Sequence, residues 1–479
     1  MTACATLPAH SSRRTAWMLA LLALAQLIIA LDATIVFVAL PAIGAALRFS
    51  AQQLQWVISA YTVAFGGALL LGGRATDLLG RRRMYVLGQA LYALSSLAAG
   101  LAPTSGALIA ARAAQGLGGA FLFPATLALI NTHFAEGPAR NRALAIWSAA
   151  SAAGLALGAL LGGVLTEGFG WQAIFFACAP LSGAAALAAG ALIPRDAPRE
   201  RARRFDLAGA LTVTSGATLL VFGLVQGPDG GFLAPPVPAA LAGAVALLAL
   251  FVVIELRGRD PLMPLHLLRN PNLRAAMVLT CVFMSSFGAQ YYFLALYYQQ
   301  VYGYSVLQTG LAYLPATLLC TVGIHLSTRL LPRLGARATL AAGLALGALG
   351  LGWIVAALPA GRGFALLLPG IAILSVGQGI TWTAMWITAA SGVAPREQGV
   401  ASGMASTAQQ IGSALGLAAL VALANHGTLG KHGAALALAT EQGLRAALAG
   451  TALVALSGVL VALRIRRTAA APAQPLQVG

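Results

Sequence analysis

Asp32 and Arg112 are opposite charges that stand well inside long apolar runs of this 479-residue sequence. An ionised side chain in such a run is costly unless it meets a partner or a water-filled cavity. Asp32 lies about 14 Å before the end of its run near Pro41, taking 1.5 Å per residue. Arg112 lies roughly 10 Å past the start of its own run at Gly106. If the two runs are antiparallel helices, both charges sit at similar depth and one can neutralise the other. A carboxylate that is paired in one state and protonated in another is what a proton-coupled carrier requires. Two plainer readings stay open: a static ion pair, and an Arg112 that snorkels to the nearby end of its helix.

Other residues could line a path for cargo. Gln115, Tyr291, Tyr292, Gln378, Trp382 and Trp386 lie in apolar runs, and Gln378, Trp382 and Trp386 share a helical face. Aromatic walls with a few amides suit a lipophilic ligand, although packing explains the same residues equally well. Gly154, Gly158, Gly162 and Gly163 form a ladder at a spacing close to four, which lets a neighbouring helix approach closely. His325 reads as a polar contact near a helix end. Enzymatic chemistry finds little support. The single lysine, Lys431, stands in Leu-Gly-Lys-His, so there is no phosphate-cradling loop with its lysine. No metal-ligating pattern is visible, and the four cysteines read as free thiols. The expectation is a protein that is not an enzyme and needs no cofactor or metal.

The elements that must position these residues follow from composition. The chain is 59% hydrophobic with a mean hydropathy of +0.84, more apolar surface than a soluble fold of this size can bury. Its net charge of +17 is spread over short connections without interleaved aromatics, which speaks for membrane topology and against nucleic acid. Arg13 and Arg14 precede an apolar run too long for a signal-peptide core.

Counting such runs gives fourteen spans: Trp17–Leu40, Leu54–Leu71, Met84–Leu101, Gly106–Ile130, Ala143–Leu165, Trp171–Leu192, Leu207–Val225, Val237–Leu256, Ala275–Tyr298, Val306–Leu326, Ala338–Leu358, Phe364–Ala390, Val400–Ala424 and Leu444–Leu463. With the N-terminus inside, 24 of the 29 basic residues fall on the cytoplasmic side, the bias expected of a correct count. The fold class is therefore an all-α membrane protein of two pseudo-symmetric six-helix bundles with two further helices between them. The division is a cytoplasmic N-terminus 1–16, a first bundle 17–194, a linker with two inserted helices 195–272, a second bundle 273–464 and a cytoplasmic tail 465–479.

Internal echoes support two related halves. Arg74, Gly80 and Arg82 recur as Arg329, Gly335 and Arg337, and Ser50 and Gln53 as Ser305 and Gln308, all at an offset of 255. Gln115-Gly116 returns as Gln378-Gly379, and Gly154 and Gly158 return as Gly412 and Gly416. A repeat of this kind places a substrate site between the halves, near the midplane. Pro332 takes the place of Asp77 in the second copy.

Several of these stretches resemble the major facilitator superfamily. Gly73-Arg74-Ala-Thr-Asp77-Leu-Leu-Gly80-Arg81-Arg82-Arg83 is similar to its loop between helices two and three. There the aspartate and arginines clamp the cytoplasmic side shut; the alternative is a positive loop that only orients two helices. The segment Arg112-Ala-Ala-Gln115-Gly116 resembles the helix-four signature, whose arginine is implicated in proton coupling. Gly154-Leu-Ala-Leu-Gly158-Ala159-Leu-Leu-Gly162-Gly163 resembles the antiporter signature, with Ala159 where a proline is usual. Leu31-Asp32-Ala-Thr34-Ile-Val-Phe37 resembles helix one of the fourteen-helix drug:proton antiporter branch, with Phe37 where asparagine is usual. Trp171 to Pro180 is similar to the same branch without its arginine and asparagine.

The resemblance implies Asp32 and Arg112 in proton coupling, Gly73, Asp77, Gly80, Arg81 and Arg82 in the clamp, and the glycine ladder in antiport. It implies export of a small lipophilic, drug-like substrate in exchange for protons across a bacterial cytoplasmic (inner) membrane, with both termini cytoplasmic. Uptake by symport, or facilitated passage, is the alternative on the same fold. The chain is expected to act as a monomer, with association with accessory export proteins left open.

Overall fold

Inside a bilayer each backbone group must bond within its own segment, so long apolar runs fold as helices. The computed structural model describes residues 9–50, 53–134, 138–196, 207–230, 233, 235–258, 265–358, 363–393, 398–428 and 431–465. Its main helices are α1 (Ala9–Ala46), α2 (Trp56–Leu79), α3 (Arg81–Gly100), α4 (Ser105–His133), α5 (Pro138–Phe169), α6 (Gln172–Leu192), α7 (Leu207–Gly230) and α8 (Pro236–Arg257). They continue as α9 (Pro271–Phe283), α10 (Ala289–Leu296), α11 (Val306–Ala357), α12 (Leu368–Ala390), α13 (Gln398–Asn425) and α14 (Gly433–Leu463). No strand occurs among the described residues.

Ten helical stretches among the described residues are long and apolar enough to cross a membrane. Helices α2 and α3 fall outside that set, where Arg74, Asp77 and Arg81 to Arg83 cluster at their junction. Helix α7 offers only a shorter apolar stretch, Ala208–Leu220.

Several sequence boundaries are corrected. α1 runs through Pro41 to Ala46 instead of stopping at Leu40. Proline removes one donor without forcing a stop, and the Val38 carbonyl nearby accepts Gln299 Nε2 at 3.0 Å. The expected span Ala275–Tyr298 is a longer helical stretch, Pro271–Val301, in which π-helical turns at Met284–Gly288 and Tyr297–Val301 flank α10. α14 begins eleven residues ahead of Leu444. The separate spans Val306–Leu326 and Ala338–Leu358 hold: they lie on two helices, labelled together here as α11, that meet at a kink where Gly335 has φ 74° and ψ 168°.

That break has a twin. Gly80, between α2 and α3, has φ 107° and ψ 140°, a region that side-chain-bearing residues avoid. The other repeated residues also play matching parts. Ser50 Oγ accepts from Gln53 N at 3.1 Å and Ser305 Oγ from Gln308 N at 3.2 Å. Gly116 lets α4 meet the α2 backbone at Tyr61, and Gly379 lets α12 meet the α11 backbone at Cys320. Gly154 and Gly158 seat α5 on α1, and Gly412 and Gly416 seat α13 against Cys281 and Ser285.

Within the first set, α1 packs on α5 and α6, and α4 on α2 and α3, with α3 also on α6. Within the second, α11 packs on α12 and α14, and α13 on α9. The sets meet through α5 with α11, α2 with α13 and α1 with α10. α7 packs on α8, α2 and α13. The end where α1 begins is here the proximal end, and the end where it finishes the distal end. A core cluster from Leu31 to Ile43 continues into the second set through Tyr292, Tyr297 and Tyr313, whereas Met18 to Ile29 belong to a separate cluster of the first set alone. The halves are thus joined distally through α1, α5, α10 and α11, and also along α2 and α13, where Thr407 Oγ1 donates to the Gly66 carbonyl at 3.3 Å.

Candidate functional site

The Thr104 side chain caps α4 by accepting from Ala107 N, which places Arg112 two turns into the helix. There Arg112 Nη1 donates to Asp32 Oδ2 at 2.8 Å and to Oδ1 at 3.0 Å. The two side chains are 2% and 1% exposed, so water contributes almost nothing to either charge. Compensation comes from the surroundings. Arg112 Nε donates to the Val57 carbonyl of α2 at 2.9 Å, and Nη1 also donates to Gln115 Oε1. Gln115 Nε2 donates to Asp32 Oδ1 at 3.2 Å and to Ser96 Oγ at 2.9 Å. The guanidinium carbon lies 4.6 Å from the centre of the Tyr61 ring, close enough for a cation–π contact. One guanidinium therefore ties together α1, α2 and α4, and Gln115 extends the network to α3. A desolvated pair is strongly destabilised if one partner alone is removed. Neutralising Asp32 would release α1 from Arg112 while the Val57 and Gln115 acceptors remain.

The glycine ladder holds α1 at this place. A β-carbon on Gly154 would meet the Leu27 carbonyl, one on Gly158 Thr34 and the Leu31 carbonyl, and one on Gly162 the Ile35 carbonyl. Gly163 faces elsewhere, against Leu307 of α11, while Gly310 of α11 faces the Ala159 carbonyl. The ladder thus has two jobs: three rungs seat α5 on α1, and the fourth brings the halves together. Just distal, Glu167 Oε2 accepts from Ser305 Oγ at 2.8 Å and Leu307 N at 2.9 Å, capping α11 from the other half.

Of the residues expected to line a cavity, Tyr291 contacts Phe37 of the first half and Tyr313, with its hydroxyl 3.5 Å from Gln378 Oε1. Trp382 packs on both Phe283 and Trp386. Tyr292 is buried in the core, edge-on to Phe293. It follows Tyr291 directly, and a helix turns consecutive side chains about 100° apart. Gln115 belongs to the ion-pair network.

At the proximal loop, Gly73 faces Pro124. Arg82 Nη2 donates to the Gly190 carbonyl at 2.6 Å, and Arg82 N to Asp196 Oδ2 at 3.1 Å. The Asp77 side chain lies outside the described residues, so the expected Asp77–Arg81 approach does too. Asp196, placed over the first turn of α3, was not singled out from the sequence. Neither were Ser96, Tyr61 or Glu167. Asp196 follows Arg195 in a loop, and a serine or tyrosine in an apolar run carries no periodic signal.

Residues 22–417 match the model of the Major Facilitator Superfamily. The chain belongs to this superfamily. Among its relatives is a cephamycin export protein of Amycolatopsis lactamdurans, 38% identical over 410 residues, covering 85% of this chain and 84% of that one. A puromycin resistance protein of Streptomyces alboniger is 38% identical, covering 86% of this chain and 84% of that one. A lincomycin resistance protein of Streptomyces lincolnensis is 34% identical, covering 96% and 94%. In structure the chain is similar to a bacterial homologue of the human lysosomal transporter Spinster in an inward-facing, occupied conformation. That match has a TM-score of 0.67, covers 94% of this chain and 96% of the other, and carries 16% identity, so it speaks for the fold alone. Membership of the superfamily makes this a multi-pass membrane transporter of drug-efflux type, related to antibiotic export and resistance proteins.

Proposed function

We infer that the chain exports small lipophilic, drug-like compounds across the bacterial cytoplasmic membrane in exchange for protons. It does so with fourteen membrane helices arranged as six, two and six, and with both termini in the cytoplasm. On this reading the ten apolar stretches are joined by α2, α3 and α7, and Gly335 divides α11 into two spans. Proximal is cytoplasmic and distal is external. Distal contacts through Gly163, Glu167 and Gln299 then describe a chain closed to the outside. Gly73, Asp77, Gly80, Arg81 and Arg82 belong to the opposing cytoplasmic clamp.

The observation that carries the reading is the buried Asp32–Arg112 pair beside the junction of the halves. Ionised Asp32 holds Arg112 and thereby fixes α1 against α2 and α4. Protonation frees α1 and allows the rocking that exposes the cargo space to the other side; loss of the proton restores the pair. The cargo space lies between the halves, with Tyr291 and Gln378 on the second half facing Phe37 on the first. The protein acts through the proton gradient, without cofactor or metal, and as a monomer.

The test uses the full chain in inside-out vesicles with lincomycin, puromycin and ethidium as probes. Energised wild-type vesicles should accumulate at least one of them. Asp32→Asn should abolish uphill accumulation while retaining part of the downhill exchange. Normal uphill transport with normal pH dependence in Asp32→Asn would remove Asp32 as the coupling carboxylate.

A further inference from the structure

Asp32 must exchange its proton with water, yet the Asp32–Arg112 pair is almost fully enclosed by protein. One face of α3 offers a way through. Tyr85, Gln89, Tyr92 and Ser96 follow at steps of four, three and four, so they line one helical stripe about 16 Å long. All four are fully buried in the interior of the first bundle, a setting otherwise filled by leucine, isoleucine and alanine. The stripe begins one turn after Arg81, at the proximal surface, and ends at Ser96, which is bonded to Gln115 and through it to Asp32.

Both ends of the stripe are already hydrogen-bonded. Distally, Gln115 bridges Asp32 and Ser96. Proximally, Gln89 Nε2 donates to Tyr85 Oη at 3.2 Å, and Tyr85 Oη donates to the Leu21 carbonyl at 2.8 Å. Between them the Tyr61 and Tyr92 hydroxyls lie within reach of each other and of no other hydrogen-bond partner, and the Ser182 hydroxyl and Gln89 Oε1 are buried without one. Buried polar atoms are nearly always satisfied, by protein or by an ordered water, so several orphans along one stretch mark a hydrated track. The Tyr92 and Tyr61 hydroxyls sit within electrostatic reach of Asp32, Arg112 and the Cys178 thiol, and Ser182 is one turn further along α6 than Cys178. The charged groups along the track are Asp32 and Arg112 at its inner end and, at its mouth, Arg81 and Arg82 with Asp196 over the first turn of α3.

We propose that the Tyr85–Gln89–Tyr92–Ser96 face of α3 is a proton route between Asp32 and the cytoplasm. It runs through the inside of the first bundle and apart from the cargo space between the halves. At each hop a hydroxyl or water accepts one proton and releases another, breaking one O–H bond for each one formed. The amides of Gln89 and Gln115 hold intervening waters and do not themselves exchange. Separate paths let proton and cargo move without displacing each other.

The inference rests on Asp32 as the coupling carboxylate, and the test separates the two. The full chain is reconstituted with its proximal face outward, and the protonated-carboxyl infrared band of Asp32 is followed after a pH jump on that side. Asp32→Asn identifies the band by removing it. Gln89→Met and Tyr92→Phe, both close to isosteric, should each slow its appearance at least ten-fold without removing it. If no band depends on Asp32, the coupling reading fails, and the route with it. If the Asp32 band is present and both variants respond at the wild-type rate, the route alone is overturned. Two substitutions at different rungs guard against one that merely fails to fold.

Discussion

Replacing Gly158 by alanine should disable the carrier through a single methyl group. An alanine β-carbon would stand 3.1 Å from the Leu31 carbonyl carbon and closer still to Thr34 Oγ1 and the Leu31 oxygen. Ordinary contact needs α5 to retreat from α1 by about 1 Å or more, and overpacking of this kind costs about 1–3 kcal/mol. The Thr34 hydroxyl, which bonds the Leu155 carbonyl at 2.9 Å across the same interface, is lost as well, at about 1 kcal/mol. The helix-propensity gain of alanine over glycine returns only about 0.5–1 kcal/mol. A net loss of about 1–3 kcal/mol follows from these figures. The larger effect is positional. Leu31 precedes Asp32, and a 1 Å drift, roughly, carries bonds of 2.8 and 3.0 Å beyond hydrogen-bond range. We expect uphill transport in vesicles to fall at least ten-fold, with a lower thermal midpoint of the purified protein. Gly168 on the same helix has open space around it, so Gly168→Ala is the control and should be neutral. If Gly158→Ala were as active and as stable as Gly168→Ala, the close seating of α5 on α1 would be irrelevant to coupling.

Glu167→Ala should loosen the external closure, because Ser305 and Leu307 N lose the carboxylate that caps α11 from the other half; external labelling of a cysteine placed at Gln299 should rise several-fold. Gly80→Ala should cost about 1–3 kcal/mol for its positive φ and further disturb Asp196, whereas Gly335→Ala meets no neighbour within 4 Å and should cost less, as read by thermal unfolding of each variant. Cysteines placed at Asp229 and Arg199 should label from opposite sides of the membrane; labelling from one side would contradict the fourteen-span arrangement.

The pairing of Asp32 with Arg112 was legible because two charges in apolar runs can be placed by counting residues along antiparallel helices. The repeat was legible for a similar reason: glycines at matched offsets mark matched backbone contacts, and Gly80 and Gly335 adopt related conformations. Less visible was which helix a glycine faces. Gly162 and Gly163 are neighbours in sequence, yet one seats α5 on α1 and the other on α11. Helix ends were misjudged where proline was read as a stop, at Pro41. The stripe on α3 escaped notice because its tyrosines, glutamine and serine gain meaning only when neighbouring helices bury them, its ends bonded and its middle left with unsatisfied atoms.

Asp32 is the one carboxylate placed well inside an apolar run, and that solitude limits how hard the carrier can work. On the proposed exchange, one titrating group moves one proton per cycle. A proton-motive force of about 150 mV then supplies roughly 3.4 kcal/mol per cargo molecule. At about 1.4 kcal/mol per decade, neutral cargo can be held near 300-fold lower inside than outside, and no lower. A monocationic cargo exchanged for one proton moves no net charge. The electrical part of the gradient then contributes nothing, and the pH difference alone sets the ceiling.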